Sequence, residues 1–300
     1  MSAKAGSLPA AYWELTKPRL SFLSVLTALA GYFCSKDPTK IPDAHTDSKV
    51  LVSLAIGTAL AAGACGALNM WMESDADARM ERTQNRPIPA QLIRPTHAFV
   101  FGIFLLALGV GLVWYGANPL AGLLTAATAV SYLLLYTPLK KRTAWCTLVG
   151  SLPGALPPII GTAAKLNGQI DEMGWLLFAL LFFWQVPHFM ALAMMCRDDY
   201  ARGGFKVATV EDPSGKSAAI WSTAFLIPML IVAGLIAFRF FHSWTSPFVW
   251  ISLLAGAGFL KLGLNFANPQ KRALAAKPFF LASILYLPVV LLTLTLNRLF

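Results

Sequence analysis

Of the 14 acidic residues in the chain, eight fall in two connections, Glu73, Asp75, Asp77 and Glu81 in one and Asp198, Asp199, Glu211 and Asp212 in the other, each following a long uncharged run. The first stretch runs from Asn69 to Pro87 and carries Glu73, Asp75, Asp77, Glu81, Arg79, Arg82 and Arg86. If a helix continues through it, Asn69, Glu73 and Asp77 stand at i, i+4 and i+8 and share one face. They drift roughly 40° per step and cover about 12 Å of axis. Like charges at this spacing repel by about 0.2–0.5 kcal/mol, so the row calls for a cation. A hard divalent ion such as Mg²⁺ takes oxygen ligands and keeps water or phosphate oxygens in its remaining positions. Arg79, Arg82 and Arg86 follow at once and can grip the outer oxygens of a phosphate. The plainer reading is a solvated helix end in which Asp77 pairs with Arg82 and Asp75 with Arg79. Spacing alone leaves both open; Asn69 tilts the balance, because an amide at the end of a long apolar run is costly.

The second stretch is Arg197-Asp198-Asp199-Tyr200-Ala201-Arg202-Gly203-Gly204-Phe205-Lys206. It follows Trp184-Gln185-Val186-Pro187-His188-Phe189, which sets a Gln and a His inside an apolar segment interrupted by proline. The paired aspartates read as loop charge or as the other half of a single site for metal and polyphosphate. His188 reads as an interior hydrogen-bonded residue or as one facing a substrate. A third basic stretch, Tyr136-Thr137-Pro138-Leu139-Lys140-Lys141-Arg142, reads as charge anchoring a span end.

The elements that must position these residues are membrane helices. The 300 residues are 57% hydrophobic and 13% charged, with mean hydropathy +0.61. Soluble chains carry roughly 25% charge, so this composition excludes a disordered protein, a disulfide-stapled secreted domain and an ordinary cytosolic enzyme. Uncharged runs at 20–35, 51–72, 143–164, 173–196, 217–238, 240–260 and 278–297 each approach the ~20 residues that cross a bilayer. The run at 95–139 is twice as long, and Gly116-Ala117-Asn118-Pro119 divides it. The prediction is an all-α polytopic membrane protein of nine transmembrane helices forming a single domain over 1–300. A β-barrel is excluded, since no segment alternates with period two. Gly150, Pro153, Gly154, Pro157, Pro158 and Gly161 crowd the fifth helix. So many breakers are tolerated only where backbone is buried in protein or lines a cavity.

Lys and Arg favour one set of connections: Lys4, Lys17 and Arg19, then those near 79–94, 140–142, 197–216 and 271–277. Lys36, Lys40, Lys49, Lys165, Arg239 and Arg298 fall on the other side. The bias predicts a cytoplasmic N-terminal segment, 1–19, and places both acidic stretches on the cytoplasmic side. It also accounts for the net charge of +10 without nucleic acid as a partner. Asp37, Asp43 and Asp47 read as solvated charge on the outer side, and His45, His97 and His242 receive no role. Cys34, Cys65, Cys146 and Cys196 form no C-x-x-C pair and read as small packing residues.

Asn69-x3-Glu73-x3-Asp77, continued by Met80-Glu81-Arg82-Thr83-x2-Arg86-Pro87, resembles the first acidic motif of the UbiA-type intramembrane prenyltransferases. Further segments are similar to the branch of that family that farnesylates haem: Leu15-Thr16-Lys17-Pro18-Arg19, Tyr136-Thr137-Pro138-Leu139-Lys140, Gly154-Ala155-Leu156-Pro157-Pro158, Trp184-Gln185-Val186-Pro187-His188-Phe189 and Asp199-Tyr200. They lie in order over residues 12–216. The chain departs from that pattern at Glu73, where aspartate is usual, at Cys146 in place of asparagine, and over Val207–Val210.

The resemblance implies nine helices around a central cavity that opens to the lipid bilayer and is capped on the cytoplasmic side. It implies transfer of the farnesyl group of farnesyl diphosphate to a vinyl group of haem B, with addition of water, giving haem O and diphosphate. Mg²⁺ is the implied cofactor, held by Asn69, Glu73 and Asp77, with a second ion near Asp198 and Asp199. Arg82, Arg86, Lys140, Lys206 and Tyr136 are the implied diphosphate contacts, and Asp77, Asp199 and Lys140 the residues on which turnover depends. His188 and Gln185 are candidates for haem contact, and haem A synthase is a candidate partner. The expected location is a bacterial inner membrane, because the N-terminal stretch lacks the Arg/Ser-rich character of a transit leader. Two alternatives stay open: a prenyltransferase of a quinone precursor, and a polytopic transporter. Acids gathered at span ends rather than mid-span disfavour the transporter.

Overall fold

A computed structural model describes residues 7–35, 44–240 and 246–299, with side chains from 47 in the second segment and to 298 in the third. Lys4, Lys36, Asp37, Lys40, Asp43 and His242, together with residues 1–6 of the N-terminal segment and the His45 side chain, lie outside the described residues.

Among the described residues the regular structure is entirely helical. The main helices are α1 (Pro18–Cys34), α2 (Ala44–Met72), α3 (Pro95–Gly116), α4 (Pro119–Leu139), α5 (Cys146–Lys165), α6 (Glu172–Met195), α7 (Lys216–Phe240), α8 (Pro247–Ala267) and α9 (Arg272–Leu299). All but α1 are long and apolar enough to cross a membrane. The α1 helix has 17 residues and is about 25 Å long; the chain leaves it at Ser35. Sequential helices pack as neighbours around the bundle, and α9 returns against α1 to close it.

Local chemistry explains the irregularities. The α5 helix breaks at Leu156, where Pro157 has no N–H for the carbonyl four residues back. It is also the most buried of the long helices, so the breaks fall where protein rather than lipid surrounds the backbone. Its second half crosses α1 at backbone contact, through Gly31 and Gly161. The α4 helix ends in a π turn, Ser131–Tyr136, before Thr137–Leu139. Between α6, α7, α8 and α9 the buried core is aromatic: Phe259, Phe266, Phe279 and Tyr286 pack there with centroids 5.0–5.4 Å apart.

Candidate active site

The ends of α2, α4 and α6 meet at one end of the bundle, together with the start of α1. The α2 helix is interrupted at Glu73, whose backbone leaves the helical region, and a short turn, Ser74–Asp77, follows. The bonds Glu73 N–H to Asn69 O (2.9 Å) and Asp77 N–H to Glu73 O (2.8 Å) carry the i→i−4 pattern across the break. Asn69, Glu73 and Asp77 therefore stay on one face as the spacing predicts, and all three are buried, at 1%, 4% and 0% exposure.

Each meets a different partner. Lys17 Nζ donates to Asn69 Oδ1 at 2.5 Å, and Asn69 Nδ2 donates to Thr137 Oγ1 at 3.3 Å. Lys140 Nζ lies 2.8 Å from Glu73 Oε1 and donates to Oε2 at 3.1 Å. Arg86 Nη1 reaches both Asp77 oxygens at 2.7 Å. The expected pairs Asp77–Arg82 and Asp75–Arg79 do not form: Arg79 instead donates to the Asp75 and Gly203 carbonyls. The reach of Arg86 comes from the turns at 80–93, which fold the loop back over Asp77, and Thr83 Oγ1 fixes this by donating to Asp77 O at 2.9 Å.

Lys17 escaped the sequence reading as a site residue, where it counted only as anchoring charge and as part of a resemblance. It sits between the Leu8–Leu15 helix and α1 with φ 46° and ψ 59°, a left-handed conformation that costs an ordinary residue about 1–2 kcal/mol. That turn aims its side chain inward at Asn69. Burial, with Arg86 and Lys140 nearby, pushes its ammonium down to about 7. Burial also works against the charge of Lys140, but Glu73 beside it more than restores it, so Lys140 titrates above its ordinary value. Its Nζ lies 4.6 Å from the centroid of Tyr136, the other expected diphosphate contact on α4.

The α6–α7 connection closes over this cluster. Met80 and Phe205 bury against each other's loops with Ala76, Cys146 and Val207, and Lys206 N–H donates to Lys140 O at 2.7 Å while the Lys206 side chain stays exposed. Arg82 is also exposed, with its guanidinium 5.9 Å from the Tyr200 ring. Asp199, expected beside a second ion, meets three groups of the protein. Its Oδ1 accepts from the Glu81 N–H at 3.0 Å and from Arg202 Nη2 at 2.5 Å, and its Oδ2 accepts from the Arg82 N–H at 3.4 Å. Asp198 is turned outward, its side chain 77% exposed and paired with Arg197 at 3.1 Å. Among the described residues no three His, Cys, Asp or Glu side chains converge on one point.

Burial disfavours the charge on Asp199, but Arg202 and the two amides outweigh it and hold the carboxyl below its ordinary range. With the folded value depressed, the staple persists at neutral pH and loosens only as the pH falls through that lowered value. Asp199→Ala should free the 79–93 loop, read as faster amide exchange at Glu81 and Arg82 and earlier proteolytic cleavage there. Unchanged exchange at those two amides would mean that the loop is held by Met80 and Phe205 alone.

Gln185 and His188 lie within α6. The Gln185 amide donates to the carbonyls of Ser151 (3.1 Å) and Leu181 (3.2 Å), tying α6 to α5, so its donors are spent on protein rather than on a ligand. His188 faces α9, where its Nδ1 meets Ser283 Oγ at 2.7 Å.

The donor chemistry at Asn69, Glu73 and Asp77 suits Mg²⁺: all are hard oxygens on one buried face. The cations now on Glu73 and Asp77 are mobile side chains, which an incoming polyanion can draw off. Asp199 differs, since two of its partners are backbone amides that cannot move without the loop.

The sequence profile of the UbiA prenyltransferase family matches residues 24–284, and the chain belongs to that family. It is an integral membrane protein. Protoheme IX farnesyltransferase of Opitutus terrae is 42% identical over 289 residues, spanning 96% of this chain and 95% of that protein. The protein of the same name from Solibacter usitatus is 38% identical over 299 residues, spanning 96% and 98%. Among solved structures, digeranylgeranylglyceryl phosphate synthase superposes with a TM-score of 0.77 at 15% identity, over 98% of this chain and 99% of that one. A UbiA homologue from Archaeoglobus fulgidus bound to DMAPP and Mg²⁺ superposes with a TM-score of 0.66 at 16% identity, over 94% and 98%.

Proposed function

We propose that this enzyme transfers the farnesyl group of farnesyl diphosphate to a vinyl group of haem B, with addition of water, releasing diphosphate and giving haem O. The observation that carries this is end-to-end similarity to relatives named protoheme IX farnesyltransferase, in a chain whose buried acidic row faces Lys17, Lys140 and Arg86. The first part supports the acceptor and the second the departing diphosphate.

Mg²⁺ held by Asn69, Glu73 and Asp77 would supply charge to neutralise the diphosphate as its bond to carbon breaks. Lys140 and Arg86 move from their carboxylates onto the diphosphate oxygens, and Arg82 and Lys206 approach from the exposed loops. Tyr136 backs the Lys140 ammonium. Asp199 serves by holding the loop that carries Arg82 and Arg86. The C1–O bond of farnesyl diphosphate breaks with its electron pair leaving on diphosphate. The π electrons of the haem vinyl group then bond to C1, and water adds to the carbocation formed on the vinyl carbon and loses a proton. Aromatic faces attract the allylic cation by roughly 0.5–2 kcal/mol.

The Lys and Arg bias supports a site at the cytoplasmic face of the membrane; a bacterial inner membrane, with haem A synthase as a recipient of the product, is the proposed setting. The test is mass spectrometry of haem extracted from membranes holding the protein and supplied with haem B, farnesyl diphosphate and Mg²⁺. A haem heavier by one farnesyl group plus water, absent when Mg²⁺ is chelated, is the expected product. Unmodified haem, with diphosphate released when a quinone precursor is offered instead, would overturn the acceptor in favour of the sibling reaction.

A further inference from the structure

Midway along α6, the His188 ring stacks against Trp184 and against Phe280 of α9, each with centroids 4.8 Å away. Its Nδ1 lies 2.7 Å from Ser283 Oγ. A serine hydroxyl has one proton to give, and this one goes to the Phe280 carbonyl at 2.6 Å. The hydroxyl therefore meets His188 as an acceptor, and Nδ1 carries the imidazole proton. A neutral ring protonated at Nδ1 has its lone pair on Nε2. Among the described residues Nε2 has no hydrogen-bond partner, and the ring is only partly buried.

Ser283 is itself well fixed. Its side is buried at 0% exposure, and its carbonyl accepts from Trp184 Nε1 at 2.9 Å. The arrangement spends two side chains and a carbonyl on holding one imidazole edge open. That is the pattern of a metal-ligating histidine, whose other N–H is given to an outer partner that sets ring orientation and tautomer.

We infer that Nε2 of His188 is an axial ligand to the iron of the haem substrate, and that Ser283 is a positioning residue that holds the imidazole in the ligating tautomer. This rests on haem being the acceptor. Binding through the iron would fix one axis of a flat, apolar substrate against the Trp184 and Phe280 rings and orient its vinyl edge.

The test is titration of haem B into purified full-length protein in nanodiscs, followed by optical and electron paramagnetic resonance spectra. The wild type should show a histidine-ligated iron. His188→Asn keeps an N–H for Ser283 and loses only the Nε2 position, so it should lose that spectrum and regain it with added imidazole. Ser283→Ala should retain the spectrum while weakening haem affinity about 10–100-fold. An unchanged spectrum in His188→Asn, or unchanged affinity in Ser283→Ala, would overturn the inference. Farnesylated haem is assayed in the same samples. A wild type that farnesylates haem beside an unaltered His188→Asn spectrum sinks the ligand alone. A wild type that binds haem through histidine but never farnesylates it sinks the proposed reaction and leaves the ligand standing.

Discussion

Asp77→Asn should lower farnesyl transfer by about 10²–10³-fold, the scale of removing one preorganised electrostatic group from a developing anion. Asp77 is the most enclosed of the acidic row, at 0% exposure, and both its oxygens are on Arg86 at 2.7 Å. The asparagine has the same shape and still offers one acceptor to Arg86, so the fold is expected to survive. Arg86 also keeps 20% of its side chain exposed and can turn to water for the rest. The substitution removes one of the two carboxylate charges that the row offers a divalent cation. The Mg²⁺ concentration giving half-maximal rate should therefore rise along with the loss of turnover. Initial rates across a Mg²⁺ series, on membranes matched for folded protein, make the measurement. Wild-type turnover in the variant would remove Asp77 from the reaction and leave it a structural partner of Arg86.

A second large effect belongs to packing. A Cβ built on Gly161 would stand 1.8 Å from Ala28 O, and one built on Gly31 would stand 2.0 Å from Pro158 O. Both obstacles are backbone, in helices that face each other, so neither can swing aside as a flexible side chain would. Gly161→Val should force α1 and α5 apart at a cost of about 3 kcal/mol or more, at or beyond the upper end for overpacking. The shift would displace Lys17 from Asn69 as well, since Lys17 begins α1. Gly111 on α3 is the control: nothing lies within 4 Å of its added Cβ. Gly111→Ala should be neutral or stabilise by about 0.5–1 kcal/mol through helix propensity. Thermal unfolding of the two variants in one detergent decides. An unchanged midpoint for Gly161→Val would show that α1 and α5 can part without loss of stability.

Much of the site was legible because its signal is local. Asn69, Glu73 and Asp77 share a face by backbone periodicity, and that survives the break at Glu73 because the i→i−4 hydrogen bonds cross it. The partners of these residues were not legible. The plainer reading paired Asp77 with Arg82, yet the turns after Met80 bring Arg86 there instead. Lys17 is 52 residues from Asn69 in sequence and looked like any lysine at the mouth of a span. A left-handed residue before a proline is invisible to composition. Asp198 and Asp199 read alike in the sequence, since two adjacent aspartates differ only in which way the helix turn points them; the packed loops set Asp199 against two amides and turn Asp198 outward.

Composition and charge placement by themselves determined a membrane-embedded helical bundle, because uncharged runs of this length have no stable alternative in water or lipid. They also determined that acids and bases would gather at span ends, and motif order pointed to the family. The tertiary structure decided which base holds which acid and that Asp199 staples a loop. It also decided that Gln185 binds backbone and that Ser283, 95 residues away, meets Nδ1 of His188. The physical reason is one of range. Burial and periodicity act within a segment and can be read from it, whereas hydrogen bonds and ion pairs depend on angles and distances of a few ångströms between segments that only the packed bundle brings together.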